Sequence, residues 1–167
     1  MVEMHLAAVR VELTQNTPVV LLQEVEGAKR TLPIFIGPFE ASAIAEALQG
    51  VQRPRPMTHD LMRDLLVEAG LTPERVVITE LRDSTYYAEI HLNQDGRRFS
   101  VSSRPSDAMA LAARMGTPIF ADESLLDEHA VDLQTDDEDD VLAENADELV
   151  SQFQEFIEGI RPEDFSS

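Results

Sequence analysis

Two short segments of the chain resemble each other, and each carries an acidic residue that is a candidate for chemistry. Residues 37–45 (GPFEASAIA) and 104–112 (RPSDAMALA) both contain a proline, an acid two residues later, and then an Ala-x-Ala-apolar-Ala pattern. The acids are Glu40 and Asp107. A carboxylate in the first turn of a helix gains roughly 0.3–1 kcal/mol from the helix dipole, so a purely structural role is the alternative to a chemical one.

The run Thr58-His59-Asp60 is a second candidate. His59 is suited to act as a general base or a metal ligand, and Asp60 to supply oxygen ligands. In the alternative interpretation, Thr58 caps a helix, Asp60 complements the helix dipole, and His59 lies at the surface. Neighbouring residues on a helix point about 100° apart, so we do not expect His59 and Asp60 to bind the same ion.

Arginines in or beside proline-rich loops form the third group of candidates. Arg53 and Arg55 alternate with prolines in residues 53–56 (RPRP), and Arg104 directly precedes Pro105. A loop stiffened by proline holds a guanidinium in place at a lower entropy cost, and the planar guanidinium suits a phosphate group. These arginines are therefore candidates for a phosphate clamp. The alternative is structural ion pairing with the acidic candidates described above.

The sequence contains no motif that names a reaction by itself. HExxH, P-loop, GxGxxG and GxSxG patterns are all absent, and a chain without cysteine has no thiolate site and no disulfide. The remaining histidines, His5, His91 and His129, have no spacing typical of metal ligands.

An α+β fold is indicated as the framework that positions these side chains, because both helical and strand periodicities are present. Alternating apolar segments predict strands at residues 4–13, 19–25, 32–36, 76–81, 86–92, 98–102 and 118–120. Helical spacing with proline starts and glycine stops predicts helices at residues 39–48, 60–69, 106–115 and 122–131. The similarity of residues 37–45 and 104–112 predicts a duplicated unit of strands followed by a helix, in an antiparallel or mixed sheet.

Charge is distributed unevenly along the chain, whose net charge is -19. Residues 1–114 hold 15 acidic and 12 basic residues, whereas residues 115–167 hold 17 acidic residues and Arg161. We predict a domain at residues 1–133, an acidic linker at 134–142, and a C-terminal amphipathic helix and tail at 143–167. The apolar stripe of that helix comprises Leu149, Phe153, Phe156, Ile157 and Ile160.

We expect a cytoplasmic location, because the sequence shows no recognisable targeting signal. The N-terminus lacks the basic and apolar regions of a signal peptide, and no stretch of about 20 apolar residues is present to span a membrane. The acidic C-terminal part repels nucleic acid, so any chemistry on nucleic acid must occur at a local site on the first 114 residues.

Taken together, the candidate segments resemble the bifunctional nuclease (BFN) domain family. The resemblance rests on residues 32–37 (LPIFIG), 40–45 (EASAIA), 53–61 (RPRPMTHDL) and 104–112 (RPSDAMALA), with residues 162–165 (PEDF) near the end of the chain. It covers roughly residues 1–133 and the C-terminal motif. The acidic run at residues 136–140 is less typical of the family.

This resemblance implies a compact α+β fold, a homodimer, and hydrolysis of phosphodiester bonds in DNA and RNA. The site residues that it implies are catalytic Glu40, His59, Asp60 and Asp107, and phosphate-binding Arg53, Arg55, Arg104 and Ser106. Glu40, Asp60 and Asp107 would hold Mg²⁺ or Mn²⁺, because carboxylates select hard cations. His59 would orient or deprotonate the attacking water.

Two other function classes remain open at this point. One is a non-catalytic module that binds an anion or a protein, because arginine loops and helix N-termini bind anions without catalysis. The other is a regulator whose acidic tail docks on a basic partner. Carboxylates that converge on one point favour the enzyme, whereas arginines occupied by those carboxylates favour a structural network.

Overall fold

Two antiparallel meanders of three strands make up most of the fold. The computed structural model describes residues 1–12 and 16–131, and within them it contains seven strands and four helices. The strands are β1 (Val2–Glu12), β2 (Thr17–Glu24), β3 (Thr31–Phe35), β4 (Thr72–Arg82), β5 (Thr85–Gln94), β6 (Arg97–Ser103) and β7 (Ile119–Ala121). The helices are α1 (Pro38–Leu48), α2 (Thr58–Glu68), α3 (Pro105–Met115) and α4 (Glu123–His129). The predicted α+β class is confirmed.

All seven strands belong to one mixed sheet in the order β3-β2-β1-β7-β4-β5-β6. The first meander is followed by α1 and the second by α3, so the duplicated strands-then-helix pattern expected from the sequence is present in the topology. β7 lies between the two meanders and pairs antiparallel with β1 and parallel with β4. Among the described strands, β7 is therefore the one that joins the two halves of the sheet by backbone pairing.

Two-residue turns close both hairpins of the second meander. Asp83 and Ser84 join β4 to β5 with φ values of 49° and 59°, and Asp95 and Gly96 join β5 to β6 with φ values of 51° and 87°. Positive φ at both central residues defines a type I′ turn, whose twist matches that of the flanking strands. Ser84 adopts this conformation without the freedom of glycine, which makes its turn the more strained of the two.

Helix α3 is the most deeply buried helix among the described residues. It packs against α1, α2, β4 and β5, and its buried face is rich in alanine. Small side chains allow a close approach between helices and sheet, while Met109 and Leu111 fill the remaining space at 0% and 1% exposure. The close packing of α1 on α3 brings the N-termini of these two helices together, as the contact between Glu40 and Arg104 shows.

The N-cap of helix α2 lies one residue before the position that the sequence predicted. Thr58 is the first helical residue and Met57 is the N-cap, so the predicted capping role of Thr58 is wrong. The side chain of Asp60 supplies the cap interaction instead, since its Oδ2 accepts a hydrogen bond from the Met57 N–H at 3.0 Å.

The predicted acidic linker at residues 134–142 and the predicted helix and tail at 143–167 lie outside the described residues. Within residues 1–12 and 16–131, no helix has the length and apolar character needed to cross a membrane.

Candidate active site

Arg104 links the two acidic residues that occupy matching positions in α1 and α3. Its Nε and Nη2 donate to Oδ2 and Oδ1 of Asp107 at 2.7 and 2.9 Å, and its Nη1 donates to Oε1 of Glu40 at 2.9 Å. The hydrogen bonds with Asp107 and then Glu40 raise the pKa of Arg104 above its ordinary value. One guanidinium therefore holds two carboxylates at the adjoining ends of α1 and α3.

His59 joins this cluster from α2. The residue is buried, and its Nε2 lies 3.1 Å from Oδ1 of Asp107. Hydrogen bonds from Arg104 and from His59 lower the pKa of Asp107, although partial burial opposes them. An ionised carboxylate offers only acceptors, so the Nε2 atom carries the proton in this pair. The Nδ1 atom has no hydrogen-bond partner among the described residues.

Gly37 is the N-cap residue of α1, and its missing side chain makes room for Glu40. A Cβ atom at this position would fall well inside the contact distance of Glu40 Oε2. The backbone of Gly37 has φ −76°, which any residue tolerates, so the glycine matters here for the space it leaves and not for its backbone conformation. The absence of a side chain allows the Glu40 carboxylate to fold back and reach Arg104.

Asp60 lies outside this cluster and binds Arg114 at the end of α3. Its Oδ1 accepts a hydrogen bond from Arg114 Nε at 2.7 Å, while Arg114 Nη1 donates to the carbonyls of Ala43 and Ala110 at 2.9 and 3.0 Å. Burial opposes ionisation of Asp60, but the hydrogen bonds from Arg114 and the Met57 N–H outweigh it and lower the pKa. Both oxygens of Asp60 are thus engaged: Oδ2 caps α2, and Oδ1 binds the arginine that joins α2 to α3 and α1.

Arg53 and Arg55 lie away from the cluster as well. Arg53 forms an exposed ion pair with Glu46 on α1, and Arg55 is exposed in the loop before α2. The proline-rich loop therefore does not bring these two arginines to Glu40, His59 or Asp107 in this structure. Arg104 is the arginine of the predicted clamp that reaches the acidic residues.

The three carboxylates that the sequence suggested as metal ligands do not converge. Glu40 and Asp107 face Arg104, and Asp60 faces Arg114. In the described part of the chain, no group of three or more His, Cys, Asp or Glu side chains is placed to hold a metal ion. The residues present therefore do not fit the predicted site for Mg²⁺ or Mn²⁺ in this arrangement.

A cleft of about 300 Å³ opens on one side of the cluster. Its lining includes the polar residues Glu40, Arg104 and Ser106 and the aromatic residues Phe35 and Tyr86. The full lining is Ile34, Phe35, Ile36, Gly37, Glu40, Ser84, Thr85, Tyr86, Arg104, Pro105 and Ser106. Such a volume lies at the lower end of the range for small-molecule sites.

The sequence motifs did not indicate Arg114, Phe35 or Tyr86 as site residues. Arg114 follows Asp107 by seven residues, so the two side chains lie on the same face of α3, and that spacing was the available signal. Phe35 and Tyr86 lie on separate strands with the ordinary composition of strands, and only the packing of the two sheet halves brings them to one cleft.

Comparison with known proteins gives a consistent result. Residues 20–134 match the bifunctional nuclease domain family. An uncharacterized protein from Mycobacterium tuberculosis is 40% identical over 165 residues, which cover 99% of this chain and 98% of that protein.

Plant relatives are more distant and much longer. Bifunctional nuclease 1 of Oryza sativa subsp. japonica is 27% identical over 103 residues, and bifunctional nuclease 2 of Arabidopsis thaliana is 28% identical over 109 residues. These matches cover 60% and 64% of this chain but only 31% and 33% of the plant proteins. The family match over most of the chain, and the near full-length bacterial relative, show that this protein belongs to the bifunctional nuclease domain family.

Proposed function

We propose that this chain hydrolyses phosphodiester bonds in DNA and RNA at the cluster of Glu40, His59, Arg104 and Asp107. The observation that carries the proposal is the His59–Asp107 pair, in which a carboxylate of lowered pKa holds an imidazole beside an exposed guanidinium. The plant relatives, which are called bifunctional nucleases, supply the class of reaction.

His59 is the group best placed to accept a proton. With its Nε2 proton bound to Asp107, the Nδ1 atom is free to take a proton from a water molecule that attacks phosphorus. The P–O bond to one sugar oxygen then breaks, and that leaving oxygen takes a proton from solvent water. Asp107 fixes the orientation of the ring and stabilises the positive charge that the imidazole gains. Because water rather than a ribose hydroxyl is the nucleophile, this chemistry does not distinguish DNA from RNA.

Arg104 and the start of α3 are suited to bind the phosphate. A guanidinium has five N–H donors, and three of them are used by Asp107 and Glu40, so two remain for a ligand. The Arg104 side chain is 64% exposed, and the neighbouring Ser106 lines the cleft. The first backbone N–H groups of a helix add donors and a positive dipole end, which stabilise the charge that develops on the phosphate oxygens.

Dependence on Mg²⁺ or Mn²⁺ is a separate proposal that rests on the preference of carboxylates for hard cations. An ion at this site would have to draw Glu40 and Asp107 away from Arg104, so we assign it no step in the reaction. Titration of Mn²⁺ with the protein, followed by electron paramagnetic resonance, tests binding directly. Loss of the free Mn²⁺ signal with the wild type, but not with Asp107→Asn, is the result expected of a site here.

A non-catalytic module that binds an anion or a protein is the second candidate. The observation that favours it is the occupation of Arg104 by two carboxylates, which is typical of a structural ion-pair network.

A homodimer and a cytoplasmic location, both expected from the sequence, are proposals that are compatible with either function. Light scattering at tens of micromolar tests the dimer, since a mass near 18.6 kDa would indicate a monomer.

Hydrolysis of fluorescently labelled DNA and RNA oligonucleotides tests the proposed reaction. We expect His59→Gln to slow both reactions by about 100-fold, because general base catalysis contributes 10²–10⁴-fold. His5→Gln is the matched control, since His5 is exposed on β1. Equal rates for all three proteins would indicate a contaminating nuclease. No hydrolysis by the wild type would favour the binding module.

A further inference from the structure

The cleft beside Arg104 has an aromatic wall that the reaction described above does not use. Phe35 lies at the end of β3 and is 54% exposed, and Tyr86 lies near the start of β5 in the same lining. Among the described phenylalanines, only Phe35 and Phe39 are exposed, and they lie two residues before and after Gly37. The two exposed phenylalanines therefore flank Gly37, and one of them, Phe35, lines the cleft.

Charge alone does not explain how this cleft would hold a polyanion. Glu40 and Asp107 together outweigh the single positive charge of Arg104. Residues 1–114 as a whole carry more acidic than basic residues, 15 against 12. A surface of this charge does not attract a phosphate backbone over a long range, so contacts with another part of the ligand must contribute to affinity.

We infer that Phe35 stacks on an unpaired nucleobase, and that the substrate class of this site is single-stranded nucleic acid. The inference rests on the proposed function for its ligand class and adds the strand specificity. Stacking of a base on an aromatic side chain is worth roughly 1–3 kcal/mol and tolerates every base, because each has a π-face. Arg104 then receives the phosphate next to the stacked base, within the same cleft.

A duplex is the poorer ligand for this cleft. Its bases are already stacked on each other, and turning one out costs a few kcal/mol. A cleft of about 300 Å³ takes a small ligand portion and not a helix of paired strands. Affinity for a duplex therefore lacks the stacking contribution, while the negative charge of Glu40 and Asp107 still opposes its phosphates.

Fluorescence anisotropy measures this preference directly. The full chain carrying His59→Gln, which keeps the probe intact, is titrated into a labelled single-stranded DNA, its duplex, and the same strand with abasic positions. In that background we expect Phe35→Ala to weaken single-strand binding by about tenfold, and Phe35→Trp to retain it. Leu65→Ala is the matched control, because Leu65 is 60% exposed on α2 and does not line the cleft.

The outcomes separate this inference from the proposed function. Single-strand binding that depends on Phe35 and on the bases supports the inference even if the wild type hydrolyses nothing. Hydrolysis by the wild type with unchanged binding in Phe35→Ala overturns the inference and leaves the nuclease intact. Equal affinity for the single strand and the duplex, equal affinity for the abasic strand, or no binding to any probe also overturns it.

Discussion

Glu40 and Asp107 hold equivalent positions, each the third residue of a helix that begins with proline, and both carboxylates contact the guanidinium of Arg104. The two helices differ at the N-cap, which is Gly37 in α1 and Arg104 in α3. The glycine leaves space for one carboxylate, and the arginine binds both. The candidate site therefore depends on the difference between the two repeated units as much as on their similarity.

Hydrolysis is predicted to require the planar guanidinium of Arg104, and a positive charge alone at this position is predicted not to be sufficient. Arg104→Lys keeps the charge but loses the paired donors that hold Asp107, so we expect kcat for oligonucleotide hydrolysis to fall by about 100-fold. Arg98→Lys is the control, because Arg98 is 75% exposed and binds Glu74 at the other end of β6. A lysine variant as active as the wild type would contradict the role given to the bidentate contact.

Gly37→Ala is predicted to displace Glu40 without unfolding the protein. The new Cβ would collide with the end of a flexible side chain, and that side chain can move away. We expect the thermal midpoint to change little and the hydrolysis rate to fall to that of Glu40→Ala. In the Glu40→Ala background, the same substitution should have no further effect, because the atom it collides with is gone. A large additional loss in the double variant would show that Gly37 acts on something other than Glu40.

Asp60→Asn is predicted to lower stability at neutral pH by about 2 kcal/mol, because it removes the charge that faces the buried Arg114. The folded-state pKa of Asp60 is lowered from 3.8, so the ionised carboxylate stabilises the fold above the unfolded pKa. That contribution is lost as the pH falls through the folded pKa. Urea unfolding should therefore show a difference between wild type and variant that shrinks below about pH 4.

Asp64→Asn is the matched control for that experiment. Asp64 pairs with Arg63 on the same helix, but both side chains are well exposed, at 46% and 39%. Exposed ion pairs contribute little, so we expect a change below about 1 kcal/mol at any pH. Equal effects at positions 60 and 64 would mean that the contact between Asp60 and Arg114 is not a specific support of the fold.

The strained hairpin turn at the edge of the cleft offers a stabilising substitution. Ser84→Gly is predicted to raise the free energy of unfolding by about 1 kcal/mol, since a left-handed conformation strains serine but not glycine. Gly96→Ala in the neighbouring turn should lower it by a similar amount. No atom lies within 4 Å of the added Cβ at Gly96, so the backbone conformation alone would cause that loss. Two effects of the same sign would refute this explanation.

The sequence predicted the elements well because strand and helix periodicities are local. Each predicted strand or helix within residues 1–12 and 16–131 overlaps an observed one, as with α3, predicted at residues 106–115 and found at Pro105–Met115. The contacts between side chains on different helices could not be predicted in the same way. Asp60 and His59 are neighbours in sequence, yet one binds Arg114 and the other Asp107, because opposite ends of α3 pass close to α2. Nothing local to residues 58–60 specifies that crossing.

The short strand between the meanders sets the order in which the chain can fold during synthesis. Val2 pairs with Ala121, so β1, which is synthesised before the other described strands, waits for β7 before this edge of β1 is covered. Until then β1 and β4 both expose unpaired backbone groups, which are sites for association with other chains. A nascent chain arrested before Ile119 is thus an aggregation-prone species, whereas one extended past Ala121 can close its sheet.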